Sequence, residues 1–211
     1  MGANDVPPVE HNKPAEVRKM KAESNEKLDK LMQQIKQTGT QKEKVSMLNQ
    51  GQIVRLELPA GWIQSPEQHT LPSTANFVEF HNQKTPAAKV CTYFRGHRIS
   101  PSAGKTFKNL VKAAPHKLSQ DEFLQLGEVV RDKAKDKDFE LKKSETVDLN
   151  GKRVLLVEGT YREIKQSAHA IFIDAEGSGE VVQELFYQAP TADYPLYSKE
   201  VEEAFKKIIW K

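Results

Sequence analysis

The stretch FELKKSETVDLNGKRVLLV, residues 139–157, reads as two strands folded about Asn150-Gly151. Both positions tolerate positive φ, and a two-residue type I′ turn has the twist that flanking strands need. The register follows from the turn. Leu149 falls opposite Lys152, Asp148 meets Arg153 on the polar side, and Val147 faces Val154. Carried outward, the same register sets Lys143 against Glu158 on the expected core face, so a bulge or break is predicted near Ser144.

Working outward from the hairpin, strands are expected over 168–174 and 181–187, the second after the Gly-rich turn Glu176-Gly177-Ser178-Gly179. Ile171, Phe172 and Ile173 are consecutive and apolar, as in a strand covered on both faces. Val201, Ala204, Phe205, Ile208 and Ile209 hold helical spacing and close the chain. Glu200, Glu202 and Glu203 precede Lys206 and Lys207, which suits the macrodipole and gives two i,i+4 pairs.

Upstream, Ser119-Gln120-Asp121-Glu122 is a capping box, with Leu118 and Phe123 at the staple positions. Val129 and Val130 continue that helix, and Gly127 weakens it. Residues 133–138 (KAKDKD) are expected to be an exposed charged connection. Phe107, Leu110, Val111 and Ala114 form an earlier helix that Pro115 ends. Residues 76–81 and 88–95 read as a strand pair joined by a turn containing Pro86. A first strand, 53–58, runs into Pro59-Ala60-Gly61-Trp62. Strands, helices, meander and helix in that order make an antiparallel α+β domain over 51–211, not a doubly wound sheet.

The chain has 211 residues, a net charge of +3 and a single cysteine, Cys91. Every Phe, Trp and Tyr lies at or after Trp62, so the first fifty residues lack the large side chains that make a core. Residues 1–14 are expected to be disordered. Residues 15–37 carry helix formers with Val17, Met20, Leu28, Leu31 and Ile35 roughly on one stripe, and 15–50 are read as a charged helical extension and linker. Such a helix serves as a tether, a partner contact or a short coiled coil. No run is long enough to span a membrane. The small, mixed charge gives no mandate for nucleic acid. Membrane attachment is expected only through a lipid anchor removed with its signal, which would place the protein outside the cytoplasm; otherwise the cytoplasm is expected.

Chemistry is harder to find. Gly104-Lys105-Thr106 ends like a phosphate loop, yet Ile99 stands where the motif needs Gly, and Pro101 removes an amide. Capping by residues 102–106 is the plainer role. The histidines never fall at a metal-binding spacing; Glu79 and His81 share a strand face but lack a third ligand. His169, in an apolar strand, is expected to be a hydrogen-bonded core residue. Cys91 sits mid-strand and reads as inert. Glu158 and Asp174 are a carboxylate pair of undetermined separation. No metal or cofactor is implied. The least ordinary surface feature is Tyr93-Phe94-Arg95-Gly96-His97-Arg98, where Arg95, His97 and Arg98 could meet an anion. His81 and Trp62 complete the candidate set, Trp62 as an apolar anchor.

Leu58-Pro59-Ala60-Gly61-Trp62 resembles the P-x-G-W opening of the PsbP/Mog1-like superfamily. The later order of elements, with a last helix ending Phe205-Lys206-Lys207-Ile208-Ile209, is similar too. The resemblance covers residues 52–210. It implies an α-β-α sandwich with a central antiparallel sheet. It also implies a mainly non-catalytic role, since members include extrinsic photosystem subunits, a Ran-binding nuclear factor and exported bacterial lipoproteins. No binding residue of those proteins maps onto a position here. The expected function is a binding or assembly domain with another protein as partner. The rival is a small enzyme using Glu79, His81 or His169 as acid or base.

Overall fold

The computed structural model describes residues 44–66, 76–135 and 137–211. The disorder expected over 1–14 and the helix expected over 15–37 lie outside the described residues. Within them the chain runs β1 (Lys44–Gln50), β2 (Ile53–Ala60), β3 (Trp62–Gln64), β4 (Phe77–Asn82) and β5 (Lys89–Arg98). Four helices follow: α1 (Pro101–Lys112), α2 (Gln120–Gln125), α3 (Gly127–Val130) and α4 (Asp132–Lys135). Then come β6 (Phe139–Leu149), β7 (Lys152–Tyr161), β8 (Gln166–Asp174), β9 (Val181–Pro190), α5 (Tyr194–Phe205) and β10 (Ile209–Trp210).

Strands β3-β4-β5-β9-β8-β7-β6 make one sheet in that order, with every neighbouring pair antiparallel. A second sheet, β1-β2-β10, lies with α5 over one face of the first. Met47, Leu56, Leu58, Val201 and Phe205 meet Val154, Ile171, Ile173, Leu185 and Tyr187 there. The opposite face is covered by α1–α3, whose Phe107, Phe123, Leu126, Val129 and Val130 pack on Leu155, Val157, Phe172 and Val182. The protein is therefore α+β with a central antiparallel sheet, and one of its outer layers contains a small sheet as well as a helix. Residues 171–173 are fully buried between the layers, as their unbroken apolar run requires.

The hairpin keeps its predicted register from Leu149↔Lys152 outward, and φ is +48° at Asn150 and +84° at Gly151. Lys143 does stand opposite Glu158, and the register shift expected near Ser144 falls just beyond that pair, between Leu141 and Lys143. The strand tolerates the charged pair because Lys143 reaches back along the sheet to Glu145, 2.7 Å away.

Other expectations need correction. Residues Lys44–Gln50, assigned to the linker, form β1, because Val45 and Met47 pair with Leu58 and Leu56 and pack into the core. The globular unit takes them in rather than starting at 51. The helix begun by the capping box ends at Gln125, and α3 and α4 continue as separate short turns. The cap of α1 is Ser100, whose hydroxyl accepts from the Ala103 amide, not a residue of 102–106. The chain does not close with its helix: α5 ends at Phe205 and Ile209–Trp210 pair with β2. The expected i,i+4 pairs give way to one i,i+3 pair, Lys206–Glu203.

Candidate functional site: an aromatic groove on the sheet

The helices leave part of their sheet face without full cover. On that part, Phe77 of β4, Tyr93 of β5 and Phe186 of β9 stay half-buried, with ring centroids 4.8 Å and 6.2 Å apart along the row. Alternation puts them there: Val78, Val90, Thr92 and Leu185 point to the buried layer opposite, so their odd and even neighbours share this face. Beside the row lies a cavity of about 770 Å³. Its walls include Tyr93, Phe186, Tyr161, Gln188 and Ile164, with Arg131, Lys137, Asp138 and Glu163 also in the lining.

A buried ion pair is part of the lining. Lys133 Nζ lies 2.7 Å from Glu184 Oε1, and their side chains are 8% and 7% exposed. Lys133 also sits over the Phe172 ring, 5.4 Å from its centroid. The segment expected to be an exposed charged connection thus buries its first lysine. Removing two charges from water is expensive, so such a pair persists only where the surroundings hold it in place. Backbone geometry contributes. Arg131, one residue before α4, has φ +54° and ψ −121°, a conformation costing about 1–3 kcal/mol for a residue with a Cβ.

Helix α3, which precedes Arg131 of the lining, is tied to β5. His97 Nε2 donates to the Glu128 carbonyl of α3 at 3.0 Å, and Glu128 accepts from both the amide and the hydroxyl of Ser100. Burial pushes the His97 pKa below its ordinary value. The approach needs the irregular β5–β9 pairing between Tyr93 and His97, where Gly96 has φ +69°. A Cβ at Gly96 would stand 2.7 Å from the Val182 carbonyl oxygen.

The five residues predicted from sequence do not converge. Trp62 is fully buried: it packs edge-on against Tyr187 and Tyr197, and its Nε1 donates to Glu200 at 3.2 Å. That makes it a core residue instead of a surface anchor. Arg95 is exposed over the Phe94 ring, and Arg98 pairs with Glu180 at 3.4 Å. His97 ties α3 to β5 through the Glu128 carbonyl. The three basic side chains thus have three different partners and form no common anion site.

His81 lies further along the same sheet face in a polar network. Ser65 Oγ is 2.9 Å from Glu79 Oε1 and 2.7 Å from His81 Nδ1, and Lys89 pairs with Glu79 at 3.2 Å. An ionised carboxylate only accepts, so Ser65 gives its one proton to Glu79 and His81 Nδ1 donates to Ser65. Cys91, beside them, is buried, and burial raises its thiol pKa with Glu79 adding to the effect.

His169 departs from expectation in another way. It is buried as predicted, but its Nδ1 has no hydrogen-bond partner, and Glu202 Oε1 stands 4.0 Å away. Burial, with Lys143 adding repulsion, lowers its pKa to about 4. Burial, with repulsion from Glu158, raises that of Glu202. Asp174 serves a turn, accepting from the Gly179 amide. Among the described residues no three His, Cys, Asp or Glu side chains gather to hold a metal ion.

Sequence reasoning missed Tyr93, Phe186, Tyr161, Lys133 and Glu184 as a group. The available signal was weak: Tyr93 and Phe186 are aromatic at positions alternating with core residues, which marks a second, partly covered face.

No protein family model and no curated protein matches this chain. Solved structures do. The cyanobacterial PsbP protein (CyanoP) of Synechocystis is 11% identical, with a TM-score of 0.45 over 80% of this chain and 92% of its own. LpqN, involved in cell envelope biogenesis of Mycobacterium tuberculosis, is 12% identical, with a TM-score of 0.43 over 79% and 89%. A protein of unknown function from Pseudomonas aeruginosa is 13% identical, with a TM-score of 0.42 over 80% and 98%. A PsbP protein is among the structures to which this chain is similar. The architecture stands on the strand pairing above, and nothing about function follows from these likenesses.

Proposed function

We propose that this protein is a non-catalytic binding domain that docks a segment of a partner protein in the groove beside Tyr93 and Phe186. One observation carries the reading: half-buried aromatic rings line a cavity of about 770 Å³ whose buried charges, Lys133 and Glu184, are already paired. Large rings with few rotamers anchor protein interfaces at low entropic cost. Charges that satisfy each other are poor proton carriers but good supports for the rings above them. The segment before residue 44 acts as a tether or as a second contact.

A second reading rests on the Ser65–Glu79–His81 network, which an enzyme could use. His81 is the donor to Ser65 there, so it cannot also take the Ser65 proton; Glu79 would have to be the base. The experiment that separates the readings places a photo-crosslinking side chain at position 93 of the full chain. Capture of one defined partner in the source cell, lost when Phe186 is changed to Ala, supports the binding domain. Turnover in a hydrolase substrate screen that Glu79→Gln abolishes would overturn it.

A further inference from the structure

The rings of Phe77, Tyr93 and Phe186 form a row across β4, β5 and β9. Its two steps, 4.8 Å and 6.2 Å between ring centroids, are together on the scale of one turn of polyproline II, ~9 Å for three residues. That helix has no internal hydrogen bonds and a solvated backbone, so the carbonyls it turns away from water onto a surface need donors there. Gln188, Arg131 and Lys137 line the cavity beside Tyr93 and Phe186 and carry such donors. The charges of the lining balance: Arg131, Lys133 and Lys137 against Asp138, Glu163 and Glu184. A balanced lining suits an uncharged segment and gives a phosphate backbone no net attraction.

We infer that the groove takes a proline-rich segment of the partner in the polyproline II conformation. The inference rests on the groove being the binding surface. Proline rings lie flat against aromatic faces, and a chain already held in one conformation loses little entropy on docking. Phe77 and Phe186 would take prolines one turn apart, with Tyr93 between them.

The test titrates decaproline into the isotope-labelled full chain and follows amide shifts by NMR. Saturable shifts centred on Tyr93, Phe186 and Gln188 are expected. Tyr93→Ala should weaken binding at least about tenfold, whereas Tyr93→Phe, which keeps the ring, should retain it. Unfolding curves establish that both variants are folded. Absence of saturable shifts would overturn the inference, as would equal affinity for a Gly-Ser peptide of the same length, or a folded Tyr93→Ala that binds as well as the parent. If decaproline fails while crosslinking at position 93 still captures a partner, only the ligand class is wrong. If both fail, the groove is not the binding surface.

Discussion

Lys133 and Glu184 are joined at 2.7 Å with both side chains buried, although 51 residues separate them in the chain. Breaking the pair from one side strands the other charge. Lys133→Met or Glu184→Gln is expected to destabilise the fold by about 3–5 kcal/mol. Replacing both by apolar residues should recover most of that loss. Urea unfolding of the two single variants and the double variant checks it, and additive losses would show that the ion pair is not the coupling.

His169 predicts a pH dependence. Its pKa falls on folding from the ordinary 6.5 to about 4, through burial first and Lys143 second. Glu202 faces it from α5 and Glu158 from the neighbouring strand. The unfolded chain binds the proton more readily, so acid favours unfolding. The contribution is full above pH 6.5 and is lost as the pH falls toward 4, on the order of 3 kcal/mol. In His169→Leu this part of the pH profile should flatten between pH 7 and pH 4.5.

Trp62→Ala should behave as a core deletion. Its loss opens the packing against Tyr187 and Tyr197 and leaves Glu200 without the indole donor. A cost of about 3–5 kcal/mol is expected. A change in partner binding without a change in stability would contradict its assignment to the core.

Arg95→Ala and Arg98→Ala should each change stability by less than ~1 kcal/mol, since both side chains are exposed. His97→Ala should cost more, about 1 kcal/mol, because it removes the donor that ties Glu128 to β5. Hydrogen exchange localises the effect. Faster exchange confined to α3 and α4 is expected for His97→Ala and not for the arginine variants.

Gly159→Ala tests the β6–β7 contact. An added Cβ would collide with the Phe139 ring and lie 2.6 Å from the Glu140 carbonyl oxygen. A loss of about 1–3 kcal/mol is expected, measured by thermal unfolding beside Gly177→Ala, where nothing stands within 4 Å but φ is +73°. Equal losses at the two sites would assign the effect to backbone preference instead of collision.

The Asn150-Gly151 register, the Ser119–Glu122 capping box and the burial of residues 171–173 were determined by the sequence alone. Each depends on forces acting within a few residues: positive φ at a turn, one hydroxyl near one amide, an unbroken apolar run. Tertiary structure decided the rest. The burial of Trp62, the recruitment of β1 and β10 beside β2, the isolation of His169 Nδ1 and the groove at Tyr93 all depend on which layer covers which face. That choice is settled by packing between elements far apart in the chain, and alternation along any one strand does not contain it.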